Sequence, residues 1–255
     1  DTFSDLSKLI QLNLSFNRIA RIDSSTFKSQ IKLEILNLDH NEIETIAESA
    51  FASLSNLHTL VISHNHLTRL DSPLSLSRLY SLTLLSLDHN RIESIHSEAF
   101  TNLTNLFELN LSFNRLSSTL PSAITKLRSL RTLDLSSNQI WNISSLSYQG
   151  NQQLFSLNLE GNRIGNLSRG TFNSLISLGI LNLAKNRIES IESGTFDDVP
   201  NLHALRLDSN FITDINDLFN GLTHLLMLNI SANKITMFDY ALIPLGLQWL
   251  DLHDN

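Results

Sequence analysis

One pattern governs this chain: L-x-x-L-x-L-x-x-N returns from end to end with scarcely a gap. Its asparagines are Asn17, Asn41, Asn65, Asn90, Asn114, Asn138, Asn162, Asn186, Asn210, Asn233 and Asn255, so successive copies lie 22–25 residues apart. A unit that short cannot bury a hydrophobic face by itself. It must stack on its neighbours, and the chain becomes a column of coils rather than a globule.

Within a copy the alternation fixes a short strand. Leu12 and Leu14 point one way and Asn13 the other, as a period of two requires. Beyond each ladder asparagine stands another aliphatic, such as Ile19, Ile43, Leu67, Ile92, Leu116 and Ile140. Ten residues beyond it comes a large apolar side chain: Phe27, Phe51, Phe100, Ile124, Tyr148, Phe172 and Phe196. These positions are assigned to the core. Aromatics on one side and aliphatics on the other are expected to bend the stack. The ladder asparagines are expected to bond backbone groups between coils, a structural duty in which each site is worth about 1–3 kcal/mol.

Repeat length and pattern match the leucine-rich repeat, in the shorter mode that resembles its extracellular class. The expected fold is an α/β-type solenoid, a leucine-rich-repeat horseshoe with a parallel concave β-sheet. Its convex side is expected to be mostly irregular, with few or no regular helices. The stretch Leu116-Ser117-Ser118-Thr119-Leu120-Pro121 looks like the plant-type return. Residues 1–255 are expected to form a single solenoid segment of about eleven repeats, without caps at either end, as part of a longer ectodomain.

Composition narrows the function. A formal net charge of −7 disfavours nucleic acid and anionic membranes as partners by bulk attraction. No apolar run is long enough to cross a bilayer, so any membrane link is expected from segments outside this sequence. Cysteine is absent, which removes disulfides and thiol chemistry from the argument. No G-x-x-x-x-G-K, G-x-G-x-x-G or H-E-x-x-H motif occurs, and the carboxylates Glu42, Glu44, Glu93, Glu189 and Glu192 are spread over exposed positions. No enzyme, no cofactor and no metal site is expected.

Six N-x-S/T sequons mark a surface or secreted glycoprotein: Asn13, Asn102, Asn110, Asn142, Asn166 and Asn229. Asn13, Asn110 and Asn229 share the outward central position of the strand, whereas Asn142 and Asn166 lie on one flank. Copies two to four carry no sequon and are expected to be bare. Six histidines fall there: His40, His58, His64, His66, His89 and His96. Three of them, His40, His64 and His89, share the position just before the ladder asparagine, beside Asp39 and Asp88. The simplest reading is an exposed polar strand end. A pH-tuned protein contact is the sharper alternative, because imidazole changes charge near pH 6.5, and metal binding ranks below both. The sharper reading expects partner affinity to change between about pH 7.5 and 5.5. Phe107, Arg131 and Phe155 occupy equivalent positions in copies five to seven, and such residue types are enriched at binding hot spots. Packing against neighbours is the competing reading.

The stretch Met237-Phe238-Asp239-Tyr240-Ala241-Leu242-Ile243-Pro244-Leu245-Gly246-Leu247-Gln248-Trp249-Leu250-Asp251-Leu252-His253 contains more than the repeat demands. It resembles a segment of the ectodomain of the long insect Toll receptors, the 18-wheeler and Tollo type. That resemblance implies a cell-surface receptor on the extracellular side of the plasma membrane, with an intracellular TIR domain outside this sequence. The implied partners are a protein ligand, such as a cystine-knot cytokine of the Spätzle kind, or another surface receptor. The implied roles are innate immune or developmental signalling. The alternative is an adhesion glycoprotein resembling chaoptin, with a lipid anchor and no signalling domain.

Overall fold

The computed structural model describes residues 3–70, 76, 78–117, 121–144 and 147–255. They fall into two units, one of the residues up to Leu116 with Pro121–Leu130, the other of Ser117 with Arg131–Asn255. Each is a parallel-sheet solenoid.

In the first unit, three-residue strands at Gln11–Asn13, Ile35–Asn37, Thr59–Val61, Leu84–Ser86 and Glu108–Asn110 pair in parallel. The register places Leu12, Leu36, Leu60, Leu85 and Leu109 side by side. In the second unit, Thr132–Asp134, Ser156–Asn158, Ile180–Asn182, Ala204–Arg206, Met227–Asn229 and Trp249–Asp251 do the same. Their inward column is Leu133, Leu157, Leu181, Leu205, Leu228 and Leu250. An even register follows from the even repeat, because a slip of one residue would turn every leucine to solvent.

The return side carries the aromatic spine expected from the sequence. Phe3, Phe27 and Phe51 stack with ring centroids 6.1 and 6.0 Å apart, and Tyr148, Phe172 and Phe196 stack at 6.5 and 5.9 Å. Phe27, Phe51, Phe100, Ile124, Tyr148, Phe172 and Phe196 are all buried. Phe219 joins them one residue early because its coil is a residue shorter. Regular helix is nearly absent among the described residues: two short 3-10 turns occur, Ser122–Lys126 and Tyr240–Leu242. Residues 118–120, on which the plant-type reading of the return chiefly rests, lie outside the described residues.

Among the described residues, three two-stranded parallel sheets, not foreseen in the sequence, line the returning segments. They pair Arg21–Ile22 with Thr45–Ile46, Arg69–Leu70 with Ser94–Ile95, and Asn166–Leu167 with Ser190–Ile191.

The ladder asparagines bridge coils as their chemistry requires. Asn65 Nδ2 donates to the Leu38 carbonyl of the preceding coil (3.0 Å) and to Ser63 O of its own (2.9 Å), while its Oδ1 accepts from Ile43 N (2.8 Å). Asn41 and Asn186 repeat the arrangement. The residue before each ladder asparagine takes a left-handed backbone, from Phe16 (φ 57°) to Asp254 (φ 54°). Only Gly161 does so without a Cβ penalty.

Candidate functional site

The left-handed turn decides what the first unit shows to solvent. It stands the side chain before each ladder asparagine just past the end of the strand, in line with its neighbours. Phe16, His40, His64, His89 and Phe113 form one continuous stack. Successive centroids are 4.4, 4.0, 4.2 and 4.2 Å apart, and the planes differ by no more than 18°. The two phenylalanines end the stack and are well exposed, Phe16 at 75% and Phe113 at 51%. Each imidazole keeps its outer edge in water.

Two carboxylates hold the inner edges. Asp39 accepts from His40 Nδ1 at its Oδ2 (2.9 Å) and from His64 Nδ1 at its Oδ1 (3.2 Å), so one carboxylate bridges two rings. Asp88 accepts from His89 Nδ1 (2.9 Å) and from the hydroxyls of Ser63 (2.6 Å) and Ser86 (2.7 Å). Burial pushes the Asp88 carboxyl up, but the bonds from Ser63, His89 and Ser86 outweigh it and hold the group below the ordinary carboxylate range. Three donors on one buried carboxylate make it a fixed anion.

The three histidines expected to share a column therefore do. Their aromatic end-caps and the bridging role of Asp39 escaped the sequence reading, although Phe16 and Phe113 stand in the same repeat position and extending the column would have found them. His58, His66 and His96 stand apart from the stack.

The second candidate surface divides. Phe107, 46% exposed, belongs to the first unit, and Arg131 and Phe155 belong to the second. Phe155 leans on the next coil. A Cβ at Gly179 would come within 2.3 Å of its ring, so glycine there makes room for the phenylalanine. Neighbour packing accounts for much of Phe155, as the competing reading held. In the same unit Ile180, Leu226 and Trp249 leave further apolar surface exposed.

The sequon asparagines share a local geometry where they lie on the strand. Asn13, Asn110 and Asn229 each accept a backbone N–H two residues on at Oδ1, at 2.9–3.0 Å. Such turns tie down the oxygen and leave the nitrogen, the atom a glycan joins, without a protein partner among the described residues. Asn158 and Asn182, the non-sequon members of that column in the second unit, instead donate their nitrogens to Asp134 (3.1 Å) and Glu160 (2.9 Å). Asn142 and Asn166 are exposed, and Asn166 Oδ1 accepts from Ser190 Oγ (2.8 Å).

The leucine-rich-repeat family model matches residues 7–67, 31–85, 80–140, 152–212 and 200–255. The chain belongs to the leucine-rich-repeat family. Within it, the chain is related to Toll-like receptors. It is 53% identical over 45 residues to Toll-like receptor 7 of Drosophila melanogaster, a match covering 18% of this chain and 3% of that protein. Its coils superpose on a TLR13–ssRNA13 complex with a TM-score of 0.88 and 28% identity, over 99% of this chain and 38% of that one. A leucine-rich-repeat protein of Leptospira interrogans gives a TM-score of 0.81 and 29% identity, over 92% of this chain and 57% of that one. The functional domain of InlJ from Listeria monocytogenes, which includes a cysteine ladder, shares the fold at a TM-score of 0.75 and 23% identity, over 99% of this chain and 50% of that one. This chain thus spans only part of each relative. Solenoids of this kind are a non-enzymatic scaffold family. No helix among the described residues is long and apolar enough to cross a membrane.

Proposed function

We propose that this chain is a ligand-binding segment of the ectodomain of a Toll-type receptor, on the extracellular side of the plasma membrane. It binds a protein ligand or another surface receptor, and signals through segments outside this sequence. The Toll relationship supports the class, and one observation carries the binding role. The Phe16–His40–His64–His89–Phe113 stack is a long exposed aromatic edge, and its three histidines lie on coils two to four, where no sequon begins. Exposed aromatics of this kind are the residue types that anchor protein interfaces.

Glycans at Asn13, Asn102, Asn110, Asn142, Asn166 and Asn229 leave the histidine coils free, with Asn13 and Asn110 flanking them in the coils of Phe16 and Phe113. The histidines and carboxylates pair with each other along the stack, and the Ser63 and Ser86 hydroxyls are engaged by Asp88. Phe107 belongs to this proposal as a secondary contact on the first unit, and Arg131 and Phe155 are separate candidates on the second, Phe155 the weaker.

The reading is tested by titrating the glycosylated chain, expressed through the secretory pathway, with a cystine-knot cytokine of the Spätzle kind. Saturable binding with a dissociation constant in the micromolar range or tighter supports it. Single-stranded RNA is the comparison ligand, since the TLR13 neighbour is in complex with it. Preference for RNA over the cytokine, or clustering of beads coated with the chain and no cytokine binding, contradicts it. The bead result would favour the adhesion alternative.

A further inference from the structure

Asp39, His40 and His64 bring three ligand atoms together, each within 4.8 Å of the others. We propose that these residues form a binding site for a transition-metal ion of the Zn²⁺ class, on the exposed edge of the first unit. The inference stands on side-chain geometry and does not rest on the receptor reading.

The donor set suits such an ion. Imidazole nitrogen and carboxylate oxygen are its ordinary non-sulfur ligands, bound at about 2.0–2.2 Å. Tetrahedral ligands at that radius are about 3.3 Å from one another. The two His–Asp39 separations, 2.9 Å from His40 to Oδ2 and 3.2 Å from His64 to Oδ1, are close to that edge length, each imidazole having its own carboxylate oxygen. The carboxylate therefore needs little movement to exchange two N–H donors for one metal ion. Each Nδ1 must become a lone-pair donor, and the imidazole proton moves to Nε2, which faces water. The rings also have to open from their 4.0 Å stack so that both in-plane lone pairs converge. Their outer edges are free to do so, with side chains 41% and 39% exposed. Solvent supplies the remaining position.

A second group, His64 with Asp88 and His89, overlaps the first. Its carboxylate is already committed to Ser63 and Ser86, which makes it the poorer ligand. Because both groups use His64, the stack holds one ion and not two. The aspartate below the rings distinguishes this arrangement from a chance histidine pair. His203 and His224 have ring centroids 6.4 Å apart, and no group of three potential ligands forms around them among the described residues.

The test is a calorimetric titration of the whole chain with Zn²⁺ in a non-chelating buffer, repeated with Co²⁺ to record its visible spectrum. One Zn²⁺ per chain is expected, with a Co²⁺ spectrum of tetrahedral or five-coordinate type. His64→Asn and Asp39→Asn should each weaken binding about tenfold or more. Asparagine is chosen at 64 because the backbone there is left-handed (φ 50°) and asparagine tolerates it. Circular dichroism checks that each variant folds; if His64→Asn does not, His40→Asn, at the more exposed ring, replaces it. His203→Ala with His224→Ala should bind as the parent does. Absence of saturable Zn²⁺ binding, binding as tight as the parent's by folded His64→Asn or Asp39→Asn, or loss of the ion in the His203/His224 variant would each overturn the assignment.

Discussion

Asn65 reaches across a coil boundary: its side-chain nitrogen donates to the Leu38 carbonyl, 27 residues earlier, and its oxygen accepts from the amide of Ile43. No backbone–backbone bond serves these two groups, which lie in the turn between strand and return. Removal of the side chain strands the buried Ile43 amide, while the Leu38 carbonyl keeps one donor, Asn41 Nδ2 at 3.0 Å.

Asn65→Ala should therefore cost about 1–3 kcal/mol of stability, measured by urea denaturation followed by circular dichroism. Asn17→Ala is the internal comparison. Asn17 is exposed and, among the described residues, its side chain bonds Leu14 O and Ser15 O of its own coil, which water can replace. Its loss should cost less than about 0.5 kcal/mol. Equal costs at the two positions would mean that bridging between coils is not what the ladder contributes.

Tyr148 is fully buried, and its hydroxyl has no hydrogen-bond partner among the described residues. Burial pushes its ionisation far above the ordinary phenol value, so it stays neutral. Its neighbours in the spine, Phe172 and Phe196, show that a plain ring suffices. Tyr148→Phe should leave the fold intact and raise stability by about 1 kcal/mol. A destabilised variant would reveal an unrecognised partner for the hydroxyl.

Ala232 adopts the left-handed backbone (φ 50°) that each coil demands before its ladder asparagine. A Cβ there costs roughly 1–2 kcal/mol, against about 0.5–1 kcal/mol of extra chain entropy lost by glycine. Ala232→Gly should thus stabilise by about 0.5–1 kcal/mol, seen as a higher urea midpoint. The same change in a strand position should destabilise.

Glu160 links three side chains of the second unit. Burial pushes its carboxyl up, but Lys185 Nζ (2.6 Å), Asn182 Nδ2 (2.9 Å) and the nearby charge of Arg206 hold it below the ordinary range. A folded pKa below the unfolded one means that the ionised form stabilises above the unfolded value. That stability is lost as pH falls through the folded pKa. Glu160→Gln should therefore lower the urea midpoint at pH 7, with the gap to the parent closing as pH falls through the acid range. Because Lys185 is well exposed, the gap should be modest and shrink in salt. A gap that widens on acidification would reverse the sign of this argument.

Much of this was legible in the sequence because the repeat is the fold. Leucine columns, ladder asparagines and return-side aromatics each answer to one position in a 24-residue period, and burial follows position. What the period does not encode is backbone handedness. The residue before the ladder asparagine is phenylalanine, histidine, serine, lysine, alanine or aspartate in ten copies and glycine in one, so the left-handed turn left no signature in composition. Without that turn the histidine column could be placed in register, but neither its stacking nor the bridge from Asp39 could be read. The three small sheets were missed for a related reason. Pairs such as Arg21–Ile22 and Thr45–Ile46 are too short for any periodic signal. Phe155 was legible as exposed, but its seat over Gly179 depends on a missing side chain in the next coil.

The claim on which the functional account turns is that the imidazole stack is a docking edge for a protein ligand. Its most direct measurement compares the affinity of a cystine-knot cytokine for the parent chain and for the triple variant His40→Asn, His64→Asn, His89→Asn. Thermal melts of both are recorded alongside. The account predicts a triple variant that melts like the parent yet binds about tenfold more weakly or worse, as hot-spot removal does. Unchanged affinity in a folded triple variant would contradict it.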